Sequence, residues 1–303
     1  MNLTRKNFLK TVSIIAGGLA LPGRNVFASL INEPKGFTAL RNNIGIFTER
    51  GGTIGWFIHD DAVVVIDSQY PEQAQNMFTG LRTKTKRNID ILFNTHHHGD
   101  HTSGNIYFKD FATKIVAHEN SKILQEKNNG TDPAKPQAYP TATFKNTWSE
   151  KVGNERVTAQ YLGTAHTAGD SIIHFENANI AHMGDLVFNK TYPFIDLNGG
   201  GNLKNWIKVL ERAIKHFDKD TLFIFGHGAD DSLVTGSKAD LYYAKDFITA
   251  LVNFVSDEIK KGKSKDEIAA VDAIPNFEGL KERWAGAKKM TLEKAYDLLI
   301  KEV

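Results

Sequence analysis

The 303-residue chain contains no cysteine, so neither a disulfide framework nor thiolate metal ligation is open to it. A chain without thiols is compatible with an oxidising compartment but does not require one. An excess of one charge is also missing, with 37 Lys and Arg against 35 Asp and Glu. Four of the basic residues, Arg5, Lys6, Lys10 and Arg24, lie in the first 28 positions unopposed by any acid, which leaves 33 against 35 in the remainder. That balance gives no basic footprint for nucleic acid. No apolar run is long enough to span a bilayer, and neither a repeat nor a low-complexity tract occurs. A hydrophobic content of 41% and a charged content of 24% are ordinary for a soluble globular protein. The length allows one large α/β domain or two smaller ones.

The N-terminus reads as a targeting segment. Thr4-Arg5-Lys6-Asn7-Phe8-Leu9-Lys10 resembles a twin-arginine export motif with Lys6 in place of the second arginine. The apolar stretch Thr11 to Leu21 has the length of a signal-peptide centre, and Val26-Phe27-Ala28 offers a small-residue cleavage site. Residues 1–28 are therefore expected to be a signal peptide that engages the export machinery, by the twin-arginine or the general secretory route, with a mature periplasmic chain starting at Ser29. With no Cys after the apolar run there is no lipoprotein anchor, so no stable membrane attachment is expected.

From Phe37 to Asp67 the pattern is a β meander over Asn43 to Phe47, Gly52 to Ile58 and Ala62 to Ile66, rich in β-branched residues and broken by His59-Asp60-Asp61. Pro71 to Thr85 reads as a helix with Pro at its start. Ile89 to Phe93 is the next strand-like run, and it leads into Asn94-Thr95-His96-His97-His98-Gly99-Asp100-His101, a concentration of imidazoles and a carboxylate on a turn-forming loop. Such groups bind zinc at about 2.0–2.2 Å. Downstream, a strand Lys114 to Ala117 precedes a helix opened by His118-Glu119, where His118 reads as a packing residue and not a ligand. Asn128 to Trp148 carries Pro133, Pro136 and Pro140 and reads as a long loop forming a wall of the substrate cleft. Strands Arg156 to Leu162, Ser171 to Phe175, Asn179 to Met183 and Thr221 to Phe225 end at Gly-flanked polar positions that carry His166, Asp185 and His227. The glycine-rich stretch Asn198 to Gly201 lacks the lysine and hydroxyl of a phosphate loop and reads as a tight edge of the site. From Ser237 the chain is helical, with apolar spacing at Phe247, Leu251, Phe254 and Val255, then shorter helices near Lys265 to Ala270 and Thr291 to Lys301.

The run His96-x-His98-x-Asp100-His101, followed in order by His166, Asp185 and His227, resembles the metallo-β-lactamase superfamily from about Phe37 to Gly228. The resemblance implies an α/β fold of a particular kind, the four-layer αββα sandwich, for a catalytic domain over 29–235, with 236–303 a C-terminal helical extension packed on it. It implies that His96, His98 and His166 hold one metal and Asp100, His101 and His227 a second, with Asp185 between them. The cofactor set is then two Zn²⁺, with Fe or Mn also admitted by an all-N/O donor set. The implied chemistry is hydrolysis of an acyl bond in a small-molecule substrate by a hydroxide bridging the metals, Asp100 also shuttling the proton. Tyr192 and Asn198, near Asp185 in the chain, are candidate hydrogen-bond donors to the oxyanion. Asp67 is either an outer support for the metal loop or a cap for the helix at Pro71, and Asp170 is a candidate outer partner. Asp196 lies on a nearby loop outside the ligand set and is taken as a neutral comparison for Asp185. An Asp at 185, where antibiotic-hydrolysing members typically have Cys or Ser, favours a general hydrolase over a β-lactamase; a mononuclear iron sulfur-oxygenase is a further alternative.

Overall fold

The computed structural model describes residues 33–130 and 136–301; the expected signal peptide at 1–28 lies outside them. From Pro34 onward the chain forms one compact unit. Its first sheet has seven strands in chain order: β1 Phe37–Ala39, β2 Ile44–Phe47, β3 Ile54–Ile58, β4 Val63–Ile66, β5 Ile89–Asn94, β6 Ala112–His118 and β7 Ala142–Phe144. The pairs up to β4 are antiparallel, as in a meander, and those from β4 to β7 are parallel. The second sheet contains β8 Thr147–Val152, β9 Glu155–Gln160, β10 Ile172–Phe175, β11 Ile180–His182, β13 Leu222–Ile224 and β15 Thr235–Gly236, and a short ladder joins β12 Phe188–Asn189 to β14 His227–Gly228. The helices are α1 Pro71–Lys84, α2 Gly99–Thr102, α3 Asn105–Phe108, α4 Glu119–Asn129, α5 Leu203–His216, α6 Lys238–Lys260, α7 Lys265–Ala269 and α8 Ala287–Leu299.

Three apolar cores separate four layers. Along β4, Val64 and Ile66 face the second sheet and meet Ile173, Phe175 and Ile224. Val63 and Val65 point the other way, against Met77 and Leu81 of α1. Successive side chains of a strand point to opposite faces, so a continuous run of Val and Ile belongs to a strand covered on both sides. Each such fully buried side chain contributes about 1.5–3 kcal/mol. The third core lies outside the second sheet, where Trp206 and Leu210 of α5 pack with Phe223, Leu251 of α6 and Leu292 of α8. The arrangement is the αββα sandwich. The helical stretch beyond residue 235 shares that third core and is not marked off by a break. Local signals define its helices: Ser237 and Asp240 form a reciprocal capping box at the start of α6.

Register brings the site together. Ile66 pairs with Phe93 and His182 with Ile224, both in parallel, so the chain leaves β4, β5, β11 and β13 at one edge of the sandwich. Thr53 N donates to Gly226 O and Ser171 N to Thr95 O, tying the two sheets together there.

Candidate metal centre

Every residue of the implied ligand set lies on a segment leaving that edge. His96 and His98 follow β5, and the single turn of α2 carries Asp100 and His101. His166 lies between β9 and β10, Asp185 sits in a 3₁₀ turn over Gly184–Leu186, and His227 opens β14. Two glycines are dictated by close approach. A Cβ on Gly226 would overlap Oδ1 of Asp185, and one on Gly52 would overlap the His101 ring.

The side chains form two groups that share one carboxylate. His96 Nε2 and His166 Nε2 each lie 3.1 Å from His98 Nδ1. In the second group, His227 Nε2 is 3.1 Å from Asp100 Oδ2 and 3.4 Å from His101 Nε2. Asp185 stands between them, its Oδ2 at 3.7, 3.6 and 3.4 Å from the Nε2 atoms of His96, His166 and His227, and its Oδ1 at 3.1 Å from that of His101. Although buried, Asp185 Oδ1 makes no hydrogen bond.

Ring nitrogens turned inward at such distances, around a buried carboxylate oxygen without a donor, form a set that could hold metal, and an all-N/O set admits zinc. The outward-facing nitrogens are held as metal-binding histidines require. His98 Nε2 donates to Asp196 Oδ2 at 2.9 Å, His101 Nδ1 to Asp67 Oδ2 at 2.7 Å, and His166 Nδ1 to the Phe194 carbonyl at 2.9 Å.

Electrostatics divides the two groups. Burial, with the neighbouring imidazoles, pushes His96 well below the usual range and His166 down to about 3, so both are neutral. For His101 and His227 burial acts in the same direction but is outweighed by Asp185 and Asp100, which hold His101 well above its ordinary value and His227 up to about 9. Burial would raise Asp185, yet the charged His227 and His101 together keep it ionised.

Not every sequence expectation finds its place here. Tyr192 is corrected to a core residue, 2% exposed, with its ring on Phe247; the oxyanion-donor role does not fit that position. Asn198 is exposed on the outer side of its loop and does not border the cleft. Asp67 is the outer support: its carboxylate accepts from His101 and from Thr95 N and Oγ1, while Tyr70 caps α1 without a side-chain bond. Asp170 braces the loop behind His166 by accepting from Thr167 N and Oγ1 at 2.7 Å each, and touches no ligand ring. Asp196 is no neutral comparison, because it grips His98. His118 is a packing residue, capping α4 and stacking on Tyr161 at 3.9 Å.

The cleft over the ligands has a volume of about 460 Å³, with His98, Asp100, Asp185 and His227 on its floor and Arg50, Tyr70, Phe188, Phe194, Arg283 and Trp284 around it. None of the described residues of 128–148, expected as its wall, borders it; their prolines lead into edge strands β7 and β8. The wall missed in the sequence comes from the far C-terminal stretch, through Arg283 and Trp284.

Residues 48–227 match the family described as the metallo-beta-lactamase superfamily. The chain is 22% identical over 197 residues to the metallo-beta-lactamase IND-1 of Chryseobacterium indologenes, covering 62% of this chain and 80% of that protein. A metallo-beta-lactamase structure from Pontibacter korlensis superposes with a TM-score of 0.62 at 18% identity, over 70% of this chain and 98% of its own. The stereoselective inverting sec-alkylsulfatase Pisa1 from Pseudomonas sp. superposes with a TM-score of 0.69 at 14% identity, over 86% of this chain but 50% of its own.

Proposed function

The chain belongs to the metallo-beta-lactamase superfamily of metal-dependent hydrolases, and from that premise we propose that it is an exported enzyme holding two zinc ions that cleaves the acyl bond of a small-molecule ester, lactone, thioester or amide. His96, His98 and His166 would hold one ion and Asp100, His101 and His227 the other, with Asp185 shared. The observation that carries this reading is the Asp185 carboxylate, buried between two inward-facing groups and without a hydrogen-bond donor at Oδ1. Bound zinc supplies a water of near-neutral pKa and a Lewis acid for the carbonyl. The net reaction adds water across the acyl bond, oxygen to the acyl carbon and a proton to the departing group.

The chain's own residues do the rest. Of the two carboxylates on the cleft floor Asp100 is the more exposed, at 26% against 3%, which suits it to hand a proton to the departing group. Asp67, Asp196 and the Phe194 carbonyl fix the imidazole orientations. Phe188 and Phe194 restrict water beside the floor.

The test is elemental analysis of the purified protein together with turnover of lactone, thioester and β-lactam substrates. Two zinc ions per chain and turnover abolished by a chelator and restored by zinc are expected. One tightly held iron with oxygen consumption would move the reading to the oxygenase, and turnover of β-lactams alone would move it to a β-lactamase. Hydrolysis of a sulfate ester is a second reading, favoured because the likeness to the sec-alkylsulfatase spans 86% of the chain and so takes in residues of the C-terminal helical stretch. Export rests on the N-terminal pattern; a native protein beginning at Met1 or Asn2, and not near Ser29, would overturn it.

A further inference from the structure

The stretch Lys281–Trp284, beyond the residues that match the family, is laid as a strap along one side of the cleft. Lys281 N donates to Lys190 O, Tyr192 N and Thr191 Oγ1 donate to Lys281 O, and Arg283 Nη1 donates to the Gly228 carbonyl at 2.6 Å, next to His227. These bonds hold Arg283 half-buried at the cleft, its Nη2 3.9 Å from the exposed Asp231, and leave Trp284 37% exposed beside it. Arg50 borders the same cleft. Its guanidinium lies over the Tyr70 ring at 4.8 Å and has neither a carboxylate nor a carbonyl partner among the described residues.

Two guanidiniums border one cleft, one pinned by a backbone carbonyl and the other lacking an acceptor, and the guanidinium fork is the side chain suited to pairing with a carboxylate. The aromatic rings that line the same cleft offer apolar contact. We infer that the cleft takes a carboxylate-bearing substrate, its anionic group seated between Arg50 and Arg283 and its apolar body against Phe188, Phe194 and Trp284, which brings the bond to be cleaved over the floor. The inference rests on the hydrolase reading and deepens it by naming the substrate class and the part of the chain that selects it.

Calorimetry on zinc-loaded protein with 4-phenylbutyrate and its uncharged counterpart 4-phenylbutan-1-ol reads the subsite without any reaction. The acid should bind more tightly than the alcohol, and its Kd should rise about five-fold or more in R50Q and in R283Q, as expected for loss of a charge-assisted pair, with R283K intermediate and the alcohol unmoved. An alcohol binding as tightly as the acid, or an acid Kd unchanged in R50Q, overturns the inference. Because Arg283 also braces Gly228, zinc content is measured in each variant, and R50Q decides if R283Q loses metal. A second arm compares mono-(4-nitrophenyl) glutarate with 4-nitrophenyl butyrate. Zinc-dependent turnover with no preference for the anion sinks the subsite and leaves the hydrolase standing. Tight Arg-dependent binding of the acid without turnover of either ester does the reverse.

Discussion

His101 donates its Nδ1–H to Oδ2 of Asp67 across 2.7 Å, and both side chains are wholly buried. Asp67 does this from a backbone φ of 64°, a left-handed conformation that costs a non-glycine residue on the order of 1–3 kcal/mol and survives only where its surroundings over-determine it. Here they do, since Thr95 gives the same carboxylate two further hydrogen bonds at 2.8 Å. The consequence is that His101, once it loses its second proton, keeps the remaining one on Nδ1 and turns an Nε2 lone pair into the site.

Asp67→Asn should therefore weaken zinc in the Asp100, His101 and His227 group by roughly 10–100-fold, the usual effect of losing an outer carboxylate. The other ion should stay. Chelator competition with elemental analysis distinguishes the two, and two ions held at wild-type affinity would show that the Asp67 bond is not needed.

The protonation of the two groups predicts different pH behaviour. Ligation requires a neutral imidazole, so an ion entering beside His101 and His227 must expel protons, whereas one entering beside His96 and His166 finds them already neutral. With His227 held up at about 9, affinity for the second ion should climb with pH towards that value, by up to about tenfold per pH unit for each proton released. The first ion should vary little. In the metal-free protein the sign is opposite: the raised imidazoles stabilise the fold fully below the ordinary histidine range, and that contribution is lost as pH rises through about 9. Titration calorimetry in buffers of different ionisation enthalpy counts the released protons, and none released at the second site would contradict the assignment.

Asp196 offers a third test. Its Oδ2 accepts from His98 and its Oδ1 from Gly199 N at 2.8 Å. Burial raises this carboxyl, but hydrogen bonds from His97 and His98 outweigh it and keep the group ionised. Asp196→Asn should loosen His98 and weaken the first ion by about tenfold or more. Asp110→Asn, at an exposed position, should leave both ions in place, and equal zinc affinities in the two variants would remove Asp196 from the support of the site.

What could be read in the sequence was what is local along it. His96, His98, Asp100 and His101 lie within one loop and one helical turn, and each of His166, Asp185 and His227 follows a strand-like run, while their convergence at one edge was implied by the resemblance and not by the strand ends themselves. Strands β2 to β6 of the first sheet were legible because a run such as Val63 to Ile66 has only one kind of burial open to it. Tyr192 was misread because closeness in the chain to Asp185 was taken for closeness in space; the ladder β12 carries the chain away and buries the ring against Phe247. The hold of Asp196 on His98 depends on the turn closed by Gly199 N, and nothing beside Asp196 in sequence signals it. Arg283 reaches the site through a backbone carbonyl of Gly228, 55 residues away, a contact that constrains no side chain at its far end and so leaves no trace in the sequence. The prolines of 133–140 looked like a loop, and the edge strands after them carry too little apolar surface to announce themselves: β8 alternates exposed and partly covered residues up to Val152.

The dinuclear reading stands or falls on Asp185. Asp185→Asn keeps the shape of the side chain but removes the charge that faces four imidazoles, so zinc content should drop from two ions to one or none, with turnover falling by at least the 10–100-fold seen when an outer support is lost. A second substitution reaches the same carboxylate without changing any ligand. Gly226→Ala places a methyl group where Oδ1 of Asp185 lies, and the carboxylate must move. If position and charge both matter, the two variants lose zinc alike, measured by elemental analysis after gel filtration of the folded protein. If Asp185→Asn keeps two ions at wild-type affinity, the residue is only the turn between β11 and β12, and the shared-carboxylate assignment is wrong. If Gly226→Ala loses zinc while Asp185→Asn does not, the crowding acts through the His227 loop and not through the carboxylate, which refutes the same assignment by a different route.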